Sequence, residues 1–133
     1  MRLTVRGGRD GQRQLAFRAL RHPWERLRGL LFTGPDAEQV ALIGCASIHT
    51  LGMRYRLDVA FVARGGVVLE VWRSVPPGRF LGNSKAWVVL ERPHSIGPWL
   101  SVGEVVEMEL KKVGRPLVAT RPQTGEATGE GEV

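Results

Sequence analysis

Near the start of the chain, RLTVR and QRQLAF flank GGRDG, whose glycines and Asp10 favour turn geometry. The pattern predicts a β-hairpin. Pro23 then suits the first turn of a helix, and Trp24, Leu27, Leu30 and Leu31 recur at helical spacing while Glu25, Arg26 and Arg28 point elsewhere. That helix is expected to be short, roughly eight residues, with Gly34 and Pro35 closing the segment after it.

From Gln39 the pattern changes to short runs rich in β-branched and aromatic residues: VALI, SIHT, DVAFVA, VVLEVW, AWVVLE and EVVEMEL. Arg64, Gly65 and Gly66 read as a hairpin turn. In the last run Val106, Met108 and Leu110 alternate with Glu107, Glu109 and Lys111, so one face is buried and the other is wet. DVAFVA is apolar at consecutive positions and should be covered on both faces, whereas VPPGRF should end a strand and aim a loop. The sum predicts an α+β, mostly β domain over residues 1–119. Roughly five to seven short strands would form a barrel-like or two-layer antiparallel sheet with one short helix packed on it. Residues 120–133, built largely of Gly, Thr and Glu, are expected to be a disordered tail.

Composition narrows the class. The chain has 133 residues, 43% of them hydrophobic and 24% charged, as one globular domain would. No apolar run approaches the ~20 residues of a membrane helix, and MRLTVRGGRDGQR is too broken by Arg and Gly for a secretory signal. A cytoplasmic location is expected. Cys45 is the only cysteine, which excludes an intrachain disulfide and a four-thiolate zinc site. The net charge is +6, carried by 16 Arg and 3 Lys, and residues 1–28 hold eight of those arginines against Asp10 and Glu25. Such a basic end can attract nucleic acid or a membrane surface. No aromatic residues interleave with these arginines as stacking platforms, so a solvated basic face is the favoured reading and no nucleic-acid partner is expected.

Nearly every reactive side chain falls in CASIHTLGMRYRLDVAF. If its first part is extended, Cys45, Ser47 and His49 share one face. Asp58 stands at the mouth of an apolar strand, and a carboxylate entering a core needs partners. Arg54, Arg56, His49 or the N–H groups of the preceding turn are the local choices. The favoured function is non-enzymatic binding. A small pocket formed by His49, Thr50, Met53, Arg54 and Asp58 would hold an anionic small molecule. The alternatives are a small enzyme with Cys45 as nucleophile, His49 as base and Asp58 as orienter, or a nucleic-acid or membrane-surface module built on the Arg-rich first 28 residues. The chain shows no nucleophile elbow and no oxyanion-hole loop, so Cys45 reads as a packed, inert thiol and His49 as a structural or rim histidine. No metal site is expected, because Cys45, His49, His22, Met53 and His94 are spread along the chain. No cofactor is expected either, since Gly7-Gly8 and Gly65-Gly66 lack the nucleotide-binding spacings. The four tryptophans sit among aliphatic neighbours as core or edge aromatics. No protein partner or oligomeric state is legible.

The run Cys45-Ala-Ser-Ile-His-Thr-Leu-Gly-Met-Arg-Tyr-Arg-Leu-Asp-Val-Ala-Phe61 is followed by a glycine hairpin, VVLEV, VPPGR, a strand ending Leu90-Glu91, and Leu100-Ser-Val-Gly-Glu104. This ordered series resembles the bacterial and archaeal family catalogued as domain of unknown function 192. The segment Glu25-Arg-Leu-Arg-Gly-Leu-Leu-Phe32 is similar to that family's Arg-x-x-Gly-Leu-Met motif, and the resemblance runs from about Arg2 to Leu110. It implies a β-rich domain without an established activity. Two departures stand out: no export signal or lipoprotein anchor like that of many relatives is expected, and Arg56 stands where a Pro commonly precedes the Leu-Asp pair.

Overall fold

A computed structural model describes residues 1–8, 11–31 and 33–112, without the side chains of Trp24 and Leu27. The predicted hairpin is present: β1 (Arg2–Gly7) pairs antiparallel with β2 (Arg13–Leu20). Next come α1 (Pro23–Arg28), β3 (Val40–Ile43), β4 (Ser47–His49), β5 (Leu57–Val62), β6 (Val68–Val75), β7 (Phe80–Gly82), β8 (Val88–Pro93) and β9 (Glu107–Lys111). Seven strands form one sheet in the order β6-β5-β8-β3-β2-β1-β9, and β4 pairs with β7 in a second, small sheet.

Four expectations need correction. The large sheet is mixed rather than antiparallel, because β2 and β3 run parallel. A parallel neighbour requires a long crossover, and the segment carrying α1 supplies it. The described strands number nine rather than five to seven: all eight runs named above form strands, and VPPGRF continues into β7, a strand too short to leave a period-two signal. The sheet does not close into a barrel: β6 and the approach to β9 meet at the single bridge Val67–Val105. The helix also stops after six residues, where Gly29 turns the chain at φ 52° and returns its N–H to the Glu25 carbonyl. The proposed domain end at residue 119 and the tail 120–133 lie outside the described residues.

Alternation along the strands sorts the apolar side chains into two cores, one on each face of the sheet. Leu3, Val5, Phe17, Ala60, Val62, Leu90, Trp99 and Val106 belong to one. Leu20, Leu30, Leu42, Ile48, Leu57, Val59, Phe61 and Val89 belong to the other. β5, wholly buried from Leu57 to Val62, contributes to both, as its unbroken apolar pattern predicts. α1, β4 and β7 lie over the second core. No helix among the described residues is long and apolar enough to cross a membrane.

Candidate functional site

Asp58 is fully buried on the face of β5 that bears Ala60 and Val62, the side of the first core. Its partners are not the residues near it in sequence. Arg92 Nε donates to Oδ2 at 2.9 Å, His94 Nδ1 lies 2.8 Å from Oδ1, and Arg73 Nε lies 3.2 Å from Oδ1. Backbone N–H groups of Ser74 and Ser95 add bonds of 3.0 and 3.2 Å. Burial pushes the carboxyl up, but the hydrogen bonds from His94, Ser74, Arg92 and Ser95 outweigh it and hold the pKa at about 2. Arg92 also reaches the carbonyls of Pro98 and Gly97 and stacks on Trp99 at 4.5 Å, so Asp58 anchors the whole turn after β8. Arg56 bonds the Ser74 carbonyl and not Asp58.

The structure therefore separates the predicted site residues. Thr50 is buried and fully bonded: its hydroxyl donates to the Pro76 carbonyl and accepts from the Arg79 N–H, both at 2.8 Å. It pins the PPGR turn to β4. Arg54 lines a separate small cavity with Thr33 and Gly52, and Met53 is shared between that cavity and a larger cleft. His49 lines the large cleft, its Nδ1 accepting the Leu51 N–H at 3.2 Å and its ring 6.4 Å from that of Phe80. Cys45 also lines it, with Sγ donating to the Ser47 carbonyl at 3.0 Å. Cys45, His49 and Asp58 do not form a triad: Asp58 is on the opposite side of the sheet, bonded to His94. Among the described residues, no three His, Cys, Asp or Glu side chains gather as metal ligands would.

The cleft, about 740 Å³, is the feature that the sequence did not announce. Leu42, Leu57 and Glu91 from the large sheet form its floor, α1 and its following turn contribute Pro23, Arg26, Arg28, Gly29 and Leu30, and β4 and β7 contribute Ser47–His49 and Phe80–Gly82. Arg26 braces the wall by donating to the carbonyls of Ile43 and Gly44, at 3.1 and 2.8 Å. Arg28 is more exposed and touches only the Leu31 carbonyl among the described hydrogen bonds. On β8, Glu91 and Arg92 point to opposite faces. Arg92 has a full set of partners, whereas the carboxyl of Glu91, a residue 3% exposed, has no hydrogen bond or ion pair among the described residues. Burial alone pushes the Glu91 carboxyl up to about 8, so it is mostly neutral at pH 7.

Glu91 carried a readable signal, a carboxylate at the end of the apolar run AWVVL, the mirror of Asp58 at the start of its own run. The role of α1 as a wall had none, because it depends on the crossover between β2 and β3. Several N-terminal arginines are engaged within the fold. Arg13 grips Glu104 with contacts of 2.8 and 2.7 Å, Arg2 and Arg18 meet Glu38, and Arg6 meets Gln14.

No family model and no curated protein matches the chain. Two solved structures share its fold. One is a protein of unknown function from Novosphingobium aromaticivorans DSM 12444, at 21% identity and a TM-score of 0.63, covering 83% of this chain and 84% of that one. The other is a candidate transcription regulator from Sinorhizobium meliloti 1021, at 19% identity and a TM-score of 0.59, covering 81% of this chain and 94% of that one.

Proposed function

We propose that the chain is a non-enzymatic binding domain, akin to the family its motif order resembles, and that the cleft beneath α1 takes a small amphipathic anion. The observation that carries this reading is the composition of the cleft. Leu30, Leu42, Ile48, Leu57 and Leu81 offer an apolar bed, while Arg26, Arg28 and His49 are the basic groups on its walls and burial pushes the carboxyl among the lining residues, Glu91, toward its neutral form. The ligand site thus keeps His49 and Met53 from the sequence-based set and replaces Arg54 by arginines of α1. Thr50 and Asp58 act as structural anchors. A regulatory role does not follow from the likeness to the Sinorhizobium protein, since a shared fold does not transmit an activity.

Octanoate is a suitable probe, compared with 1-octanol and octylammonium by thermal melting and calorimetric titration. Octanoate should raise the melting temperature and bind, octanol should bind more weakly and octylammonium not at all. Arg28→Gln should weaken octanoate and leave octanol unchanged. Equal responses to octanoate and octanol, or none to either, would overturn the proposal.

A further inference from the structure

We infer, resting on the reading of the cleft as an anion site, that its ligand is a carboxylate and that Glu91 grips it as a neutral acid, donating its own O–H to a ligand oxygen. The geometry is the starting point. Glu91 lies between Val40 of β3 and Val59 of β5, is 3% exposed, and lines the cleft with no partner among the described residues. A buried polar group without a partner is rare in native proteins and calls for one from outside. Room has been left for it: a Cβ on Gly29 would stand 3.1 Å from Glu91 Oε1, and Gly29 is held at φ 52°, where side chains are disfavoured.

The chemistry of the partner follows from charge. An ammonium ligand would need Glu91 ionised, against its burial, and would meet Arg26 and Arg28 on the same walls. An anionic oxygen instead accepts from the neutral acid in a charge-assisted hydrogen bond, shorter and stronger than a neutral one. A carboxylate brings one charge to the apolar floor, whereas a phosphate monoester brings roughly 1.5 to 2. The carboxylate is the better fit. Binding then stabilises the protonated form of Glu91 and so takes up a proton wherever the free protein has lost it. The other titratable or charged groups around Glu91 are Arg26 and Arg28 from α1, Cys45 and His49 from the β3–β4 segment and β4, and Tyr55 from the loop before β5, its phenol raised chiefly by burial.

The test is calorimetric titration of octanoate into the full chain at pH 7 and pH 9.5, repeated in buffers of different ionisation enthalpy. Affinity should fall by roughly tenfold or more at the higher pH, with net proton uptake at pH 9.5. Glu91→Gln keeps a donor but cannot titrate, and should bind at both pH values with nearly equal affinity. Glu91→Met, which fills the volume without a donor, should lose binding at both. Cys45→Ser should show the same fall as the parent, and octyl phosphate should bind more weakly than octanoate. Binding that is independent of pH in the parent, or that falls equally in Glu91→Gln, would overturn the role of Glu91 and leave the anion cleft standing. Affinity for octanoate that rises with pH would show that the ionised Glu91 does not oppose the carboxylate and would overturn the inference. Absence of octanoate binding at pH 7 would overturn both readings.

Discussion

Ser74 donates its backbone N–H to Oδ1 of Asp58 at 3.0 Å from a left-handed conformation, φ 57°, rare for a residue with a side chain. The register of β5 against β6 shifts here: Leu57 faces Val75, while Val59 faces Trp72. The bulge that results is what turns the Ser74 N–H toward the carboxylate. Such a conformation costs of order 1–3 kcal/mol and persists where surrounding contacts over-determine it. Asp58, with five polar partners, supplies those contacts.

Asp58→Ala should therefore destabilise the fold by roughly 2 to 4 kcal/mol, because it strands Arg92 and two N–H groups around a lost acceptor. Asp58→Asn should cost less, since one acceptor oxygen and the shape survive. Urea unfolding of both variants checks this, and an alanine variant as stable as the parent would remove Asp58 as the anchor of the turn after β8.

Stability should vary with pH through two carboxyls of opposite sign. Asp58 has a folded pKa of about 2 against an ordinary 3.8, so its contribution is present above the ordinary value and is lost as pH falls through 2. Glu91 has a folded pKa of about 8 against 4.5, so its contribution is complete below 4.5 and is lost as pH rises through 8. The parent should lose stability progressively from pH 4.5 to 8. Glu91→Gln should be nearly flat over that span. Chemical denaturation at pH 4.5, 6.5 and 8.5 compares the two, and parallel curves would show that Glu91 is not the titrating group.

Gly66→Ala should destabilise by more than about 1 kcal/mol. Gly66 sits at φ 96°, and a Cβ there would come within 2.2 Å of the Val106 carbonyl oxygen, which accepts no such approach. Gly65, beside it, has open space around its missing Cβ and should tolerate alanine far better. Thermal melts of the two variants side by side provide the comparison, and equal effects would mean that the Val106 contact is not the cause.

Duplex DNA should bind weakly and lose that binding by about 150 mM salt, since Arg2, Arg13 and Arg18 already face Glu38 and Glu104. Fluorescence anisotropy with a labelled duplex across a salt series measures it. A complex that persists at 150 mM salt would restore the basic end as an interface.

Much of the strand pattern was legible because each buried run carries its own period: the consecutive apolar residues of β5, the alternation of β9, the glycines between β5 and β6. The parallel pairing of β2 with β3 was not, because register between distant strands is settled by the crossover and by packing, neither of which has a local signature. The candidate site failed for a related reason. His49, Arg54 and Asp58 are close in sequence, but β5 carries Asp58 through to the other face of the sheet, where Arg73, Arg92 and His94 wait on later elements. Sequence proximity described a segment and not a neighbourhood. Glu91 shows the converse, a single residue whose apolar neighbours advertised burial while its helix-borne surroundings lay more than sixty residues earlier.

β1 is bonded on one side to β2, a short turn away, and on the other to β9, with Arg6 opposite Glu107. On the ribosome these two edges become available at very different moments. At about 5–20 residues per second, the hairpin waits on the order of 5–20 s for β9 to be made. During that interval β1 exposes an open row of N–H and C=O groups, and Leu3 and Val5 lack the Val106 side of their core. The charged residues on β1, Arg2 and Arg6, are then the only guard along that edge. Arg6 meets Glu107 only once β9 is made, so along that edge it supplies repulsion first and cohesion afterwards, whereas Arg2 can meet Glu38 much earlier.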